Sequence, residues 1–351
     1  MTSNRFRPRD AYRDIRAYDV EPESVDLELS DNTSLYGPPP AALRVIQGVR
    51  ADDLTRYPTT YSRPLREAIG RHIGVSPNEI MVGAGSDDVM SCAFRALGNP
   101  GARVAYMDPT FVMARVFAQT NSLTALPVPL TATHDADAAG LLATRADITY
   151  VCTPNNPTGG SVARGTLNDV VDGAAGVVMI DEAYAEFADS NLAHEAPGRD
   201  GMLVLRTFSK AFGLAGLRVG YAVAERTLIA ELEKARGPFA VTALSEQAAL
   251  AALTHDVPWV MARVREMCDM RAWFALALKA AGYRPLPSSA NFVLVPVADA
   301  LSAMRALRKR GILVRQFSAL AGIGDALRIS MAPPPAMQRV LDAMQECVPC
   351  V

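Results

Sequence analysis

Short apolar runs alternate with longer amphipathic stretches along this chain, the pattern of parallel strands covered by helices on both faces. Apolar runs at 79–83, 103–107, 122–128, 147–152, 177–181, 202–207 and 218–223 predict seven strands of one large sheet. Helical spacing at 87–97, 111–120, 135–144, 163–174 and 225–234 supplies the crossovers that parallel strands require. From 258 to 281 a stretch rich in Met, Arg and Ala reads as one long helix stopped by Gly282, a bridge to a second unit. Beyond it, strands at 290–297, 311–317 and 326–331 alternate with helices at 298–309 and 335–347, which predicts a smaller α/β lobe. The polar segment 1–42 ends in Gly37-Pro38-Pro39-Pro40 and is expected to pack as an arm, with the small lobe, rather than fold alone. The expected division is therefore an arm at 1–42, a large domain at 43–257, and the long helix with a small domain at 258–351.

Composition narrows the chemistry. The chain has 351 residues, half of them hydrophobic, enough for one large α/β domain and a smaller companion. Lys plus Arg number 35 against 37 Asp plus Glu, a formal net charge of −2, so nucleic acid is not an expected partner. The four histidines lack the spacing that puts two rings on one helix face, which argues against a multi-histidine metal site. Five cysteines are mostly dispersed; the lone Cys347-x-x-Cys350 pair has neither a thioredoxin-like setting nor a second pair to complete a zinc site. The N-terminal ten residues are polar and basic with no apolar stretch after them, and no run approaches the roughly 18 to 20 residues that span a bilayer. The expectation is a cytoplasmic chain with no membrane partner.

The candidate chemistry sits where strands end. Arg206-Thr207-Phe208-Ser209-Lys210-Ala211-Phe212-Gly213-Leu214 follows an apolar strand whose C-terminal end is the usual ligand side of an open sheet. Flanked by apolar residues, Lys210 is a candidate amine nucleophile with a lowered pKa, and Thr207 and Ser209 offer hydroxyls to an anion; the alternative is a surface lysine at a helix start. Asp181-Glu182-Ala183-Tyr184 places a carboxylate at the end of a buried strand, where charge is costly without a cationic partner. A protonated pyridine nitrogen is one such partner for Asp181, with Tyr184 donating to a ring oxygen; a capping aspartate is the other reading. In Thr153-Pro154-Asn155-Asn156-Pro157-Thr158-Gly159-Gly160 the amide of Asn156 faces a ring oxygen or the segment is only a turn. Val82-Gly83-Ala84-Gly85-Ser86-Asp87-Asp88 runs from a strand into a helix, whose first-turn amides suit a phosphate, although this is neither a Walker A nor a G-x-G-x-x-G sequence. Phe111 ends another strand segment as a ring-stacking candidate or a core residue.

Together these segments resemble the pyridoxal-phosphate-dependent aminotransferases of fold type I, aspartate aminotransferase-like, and within them the histidinol-phosphate aminotransferase family. The resemblance runs in order from about Leu29 to Arg328 and is most specific over RTFSKAFGLAGLRVG at 206–220. It implies that Lys210 bonds the pyridoxal 5'-phosphate cofactor and later moves a proton between substrate Cα and cofactor C4′, and that Arg218, Thr207 and Ser209 hold its phosphate. By the same resemblance Ser86 and Asp87 approach that phosphate, Phe111 stacks where a tyrosine is usual, Asn156 and Tyr184 face the ring oxygen, and Asp181 partners the pyridine nitrogen. Tyr57 matches a tyrosine that reaches the phosphate of a neighbouring subunit, which implies a homodimer with shared active sites.

Substrate residues carry over less completely. Arg328 matches the arginine for the substrate α-carboxylate and Arg315 the arginine for a substrate phosphate; Tyr18 matches a tyrosine contributed by the partner subunit, and Asn32 lies in the substrate-covering motif. Where the family commonly has Asn-Glu-Asn-Pro before Tyr-Gly, this chain has Asn32-Thr33-Ser34-Leu35, and Phe239 stands where some relatives place a tyrosine. The resemblance implies ping-pong transamination between histidinol phosphate or an amino acid and 2-oxoglutarate or another keto acid. Alternatives on the same scaffold are an aromatic or specialised-metabolite amino donor, a cyclase, eliminase or decarboxylase, and a catalytically inert binding protein.

Overall fold

The computed structural model describes residues 9–13, 15, 25–188 and 191–349. Among the described residues, eleven strands run in chain order: β1 Leu27–Leu29, β2 Ile80–Gly83, β3 Arg103–Asp108, β4 Thr124–Pro129, β5 Ile148–Cys152, β6 Val177–Asp181, β7 Met202–Thr207, β8 Gly220–Ala224, β9 Phe292–Pro296, β10 Ile312–Leu320 and β11 Gly324–Ser330. The α-helices are α1 Pro40–Gln47, α2 Ala51–Thr55, α3 Arg63–Ile73, α4 Ser86–Leu97, α5 Met113–Thr120, α6 Ala138–Ala143, α7 Arg164–Gly173, α8 Arg226–Glu233, α9 Ala243–His255, α10 Val257–Ala280, α11 Ala300–Arg308 and α12 Pro334–Cys347.

Seven strands form the large sheet in the order β2-β8-β7-β6-β5-β3-β4. Strands β5, β7 and β8 are buried along their whole length, as near-continuous apolar runs between two helix layers must be. Strand β4 is the more exposed edge and carries Pro127 and Pro129, which cannot donate to a further strand. The connection from β3 goes outward to β4, while β5, β6 and β7 follow on the other side, so the chain reverses direction between β3 and β5. Such a reversal opens a crevice at the carboxyl ends of the strands.

Strand β8 runs antiparallel to both neighbours, pairing Gly220 with Thr207 and with Gly83. An antiparallel strand begins where its parallel neighbours end, so the turn before β8 and the loop after β2 reach the same rim as the loops after β6 and β7. The sequence pattern had extended this strand back to residue 218. Arg218 instead has φ 52° and turns out of the sheet. At Gly220 a Cβ would stand 2.3 Å from the backbone nitrogen of Ser86, so only glycine lets the strand pass the start of α4.

The small sheet has the order β1-β10-β11-β9, with β1 parallel to β10 and the rest antiparallel. Only part of the described arm joins the small lobe as expected: β1 is a strand of the small sheet, whereas Asp10–Tyr12 pack on α5 of the large domain, where Arg9 donates to Ser122 Oγ at 2.8 Å, and α1 packs on α9. Helix α10 matches the long helix read from the sequence to within one residue at each end, and α9 precedes it with only Asp256 between.

Next to β6, Arg206 is 6% exposed and reaches two carboxylates: Nη1 donates to Glu182 Oε2 at 3.3 Å and Nη2 to Glu186 Oε1 at 2.7 Å. Glu182 also accepts from the backbone nitrogen of Leu192, and burial raises its carboxyl to about 7 against the pull of Arg206. The triad pins the segment that carries Tyr184. Arg206→Ala strands these carboxylates in the interior, and a loss of about 3–5 kcal/mol is expected, read as a lowered urea midpoint of the first unfolding transition.

Candidate active site

A cavity of about 600 Å³ opens at the carboxyl ends of β3, β5, β6 and β7, roofed by β10 and β11 and by the arm. Thirteen of the residues singled out from the sequence line it: Asn32, Ser86, Asp87, Phe111, Asn156, Asp181, Tyr184, Thr207, Ser209, Lys210, Arg218, Arg315 and Arg328. Tyr57 and Phe239 do not line the cavity of their own chain; they are 83% and 43% exposed, and their rings stack at 4.9 Å. Tyr18 lies outside the described residues.

At one end, the first turn of α4 offers its backbone N–H groups, and the helix dipole favours an anion there. Gly85, at φ 86°, precedes the helix; a Cβ on it would sit 2.6 Å from Arg218 Nη2, so glycine makes room for that guanidinium. Arg218 Nη2 lies 3.6 Å from Asp87 Oδ2, and Thr207 Oγ1 donates to Ser209 Oγ at 3.0 Å. A helix terminus, two hydroxyls and a guanidinium around one end of a cavity are donors that could hold a phosphate. Burial raises the Asp87 carboxyl, and Arg218 and Lys210 pull it back down.

At the floor, Asp181 is 3% exposed. Its Oδ1 accepts from the backbone nitrogen of Ala183 at 3.1 Å and its Oδ2 from the Tyr150 hydroxyl at 2.7 Å. Burial lifts its carboxyl to about 6, against the effect of those two donors. Lys210 Nζ donates to the backbone oxygen of Asp31 at 2.8 Å. Burial, with the positive charge of Arg328 and Arg218, lowers the Lys210 amine to about 8, opposed by Asp31 and Asp87. Phe111 forms a side wall.

The roof joins both sheets. Arg328 and Arg315 are cross-strand partners on β11 and β10, so both guanidinium groups serve one cavity. Arg328 Nη1 donates to Asn156 Oδ1 at 2.5 Å and its Nη2 to the backbone oxygen of Ser30, and the side chain lies against the rings of Phe292 and Phe317. Asn32, with φ 55°, donates from Nδ2 to the Tyr184 hydroxyl at 2.9 Å and is itself held by Ser330 and Asn291. Sequence reasoning missed Asp31, Val112, Met113 and Phe317, all of which line the cavity, as does Thr33 of the altered motif. Asp31 adjoins that motif and was within reach of its signal; Phe317 was not. Among the described residues no group of three or more His, Cys, Asp and Glu could hold a metal ion, and no helix is long and apolar enough to cross a membrane.

The family profile for aminotransferase class I and II matches residues 24–344. The chain belongs to the class I and II aminotransferases. Two curated histidinol-phosphate aminotransferases are similar to this family member along almost their whole length. The one from Methylibium petroleiphilum is 37% identical, covering 96% of this chain and 93% of the relative. The one from Thermoanaerobacter sp. (strain X514) is 32% identical, covering 96% and 97%. The crystal structure of histidinol-phosphate aminotransferase from Sinorhizobium meliloti, in complex with pyridoxal-5'-phosphate, superposes with a TM-score of 0.84 at 27% identity, covering 92% of this chain and 91% of that one. This aminotransferase therefore has the fold type I, aspartate aminotransferase-like architecture, with a large and a small α/β domain.

Proposed function

We propose that this enzyme exchanges an amino group between histidinol phosphate and 2-oxoglutarate by a ping-pong route, as a pyridoxal-phosphate-dependent aminotransferase. The observation that carries the substrate is the pairing of Arg315 with Arg328 across β10 and β11, two guanidinium groups over one cavity. A phosphate and a carboxylate are the anions that arginine's planar fork fits best. Arg328, its fork held by Asn156 and the Ser30 carbonyl, takes the α-carboxylate of glutamate or 2-oxoglutarate, and Arg315 takes the phosphate of histidinol phosphate, which has no carboxylate.

The cofactor is pyridoxal 5'-phosphate, which supplies an electron sink when bound. The residues present fit it: a phosphate cradle at one end, a buried carboxylate at the floor, an amine of lowered pKa between them and an aromatic wall. Ser86, Thr207, Ser209 and Arg218, with the first-turn backbone N–H of Asp87, would hold the phosphate. Asp181 keeps a proton on the ring nitrogen, Phe111 stacks on the ring, and Asn156 and Tyr184 hydrogen-bond the ring oxygen. Lys210 would hold the cofactor through its amine and, once the substrate amine has displaced that bond, the freed amine would carry a proton from substrate Cα to C4′. Tyr57 and Phe239, exposed and stacked on each other in their own chain, reach the site of a second copy in a homodimer, Tyr57 at its phosphate, and Asn32 borders the substrate. The domain limits are 43–257 and 258–351, with the arm at 1–42 and the small domain closing over substrate. The setting is cytoplasmic.

A donor series tests the substrate. Holoenzyme mixed with histidinol phosphate, histidinol, histidine, phenylalanine, tyrosine or glutamate is followed by the visible absorbance of the half-reaction and product mass. Histidinol phosphate is expected to be the best donor apart from glutamate, and removing its phosphate should cost roughly 10- to 100-fold in kcat/KM, as loss of a charge-assisted contact implies. No half-reaction with histidinol phosphate, alongside one with an aromatic donor, overturns the assignment. The altered segment Asn32-Thr33-Ser34-Leu35, of which Asn32 and Thr33 line the cavity, supports a second reading, an aromatic or specialised-metabolite amino donor or a non-transaminating reaction such as cyclisation, elimination or decarboxylation.

A further inference from the structure

Asp181 and Tyr150 meet through strand register. Cys152 pairs with Asp181 across β5 and β6, and Tyr150, two residues back along β5, points to the same face. Tyr150 is completely buried, beneath the cavity floor, and its hydroxyl donates to Asp181 Oδ2 at 2.7 Å. The other oxygen is fixed by the Ala183 backbone N–H. Cys152 does not compete for the carboxylate, since its thiol donates to the Pro154 carbonyl at 3.3 Å. A carboxylate held at both oxygens keeps one orientation, with its remaining lone pairs available toward the cavity. We propose that Tyr150 is a positioning residue, which aims the Asp181 carboxylate at the cofactor ring and keeps it ionised in the interior.

The physical need is clear from the surroundings. The groups facing Asp181 are Tyr150 and Cys152 from β5, Asp87 from α4, Lys210 from the loop after β7, and Tyr184 from the segment after β6. Of these only Lys210 is cationic, and Asp87 works in the opposite sense. A buried carboxylate with so little positive charge around it takes up a proton unless neutral donors hold its charged form. Tyr150 suits the task because burial and the neighbouring carboxylate drive its own pKa far upward, so it remains a donor at every working pH. A neutral, protonated Asp181 would hold the ring-nitrogen proton less firmly.

The proposal rests on the cofactor reading above, and Tyr150→Phe tests it by two routes that fail separately. In the holoenzyme, Y150F should lower kcat about 10-fold with KM within about 2-fold, as expected for one lost hydrogen bond to a charged group, and move the acid limb of the kcat profile upward by about one pH unit. In the full-length chain stripped of cofactor, the Y150F gap in melting temperature should widen between about pH 4 and pH 8. The sign follows from linkage: a higher Asp181 pKa in the folded state costs stability only where Asp181 is ionised in the unfolded chain. A purely structural tyrosine gives a gap that does not change with pH. In an Asp181→Asn background the pH dependence of the gap should vanish. Should Y150F not fold, uniform 3-fluorotyrosine labelling, which strengthens the donor, should shift the pH dependence of the melting temperature in the cofactor-free wild-type chain and leave that of D181N unchanged. A pH-constant gap with an unmoved acid limb overturns the proposal. If no donor is turned over, the substrate reading fails while the stability route still decides Tyr150.

Discussion

Lys210→Ala is expected to lower turnover by at least about 10⁴-fold, because it removes the amine that bonds the cofactor and also the base that moves the substrate proton. The loss corresponds to about 5.5 kcal/mol of barrier, more than a change in binding at the cavity rim could cause. Cofactor uptake should survive in part, since the phosphate cradle and Asp181 are untouched by the substitution. Two measurements separate these effects: equilibrium titration with pyridoxal phosphate, and mass spectrometry after borohydride reduction, which should fix the cofactor to the wild-type chain and leave the variant unlabelled. The drop of the Lys210 amine from 10.5 to about 8 raises the free-amine fraction near neutral pH by about 300-fold. Covalent uptake by the wild-type chain should therefore climb between about pH 6 and pH 9, with its midpoint near 8. A variant that turns over at the parent rate overturns the role of Lys210.

Much of this site was legible because strand ends announce themselves. An apolar run followed by Gly, Pro, Asp or Ser marks a carboxyl end, and in a mostly parallel sheet those ends share one rim. That logic placed Asp181, Asn156, Thr207 and Lys210 together without coordinates, and the cavity brings the same residues together. The helices flanking the large domain were harder. Helix α9, Ala-rich with small buried residues on several sides, shows no single apolar stripe, so periodicity passes over it. Helix α3 did carry a signal, with Leu65 and Ile69 four apart and buried behind Pro64 at its start, and it went unused.

What the sequence withheld was pairing. Tyr150 sits inside the apolar run Ile148–Cys152, where a tyrosine reads as core; only the register of β5 against β6 sets it under Asp181. The reach of Arg328 to Asn156 likewise spans 172 positions and joins the two lobes, a contact that no local pattern encodes. The apolar run at 218–223 includes Arg218 in a strand, yet its left-handed backbone turns it out of the sheet, beside Asp87. The chemical identity of these residues was local information; their mutual geometry was not.

Asp181→Asn is the second large effect, and it should move activity and stability in opposite directions. Asparagine keeps the size of the side chain but cannot carry the negative charge that holds a proton on the ring nitrogen, and a fall in kcat of at least about 100-fold is expected. Folding responds the other way. The folded chain holds the Asp181 carboxyl at about 6 against 3.8 in an unfolded chain, so ionising it in the interior costs at most about 3 kcal/mol. That cost is absent below about pH 4 and complete above about pH 6, which means that wild-type stability contains a component that falls as pH rises through this window. Asparagine removes the component, less what it loses as a poorer acceptor for Tyr150 and Ala183. The cofactor-free variant should therefore melt higher than the wild type at pH 8 and converge with it, or fall below it, at pH 4. Thermal melts at the two pH values, with kcat beside them, check the pair of effects; a variant that is both slow and uniformly less stable would mean that the Asp181 carboxylate is a structural anchor and not a charge held at a cost for catalysis.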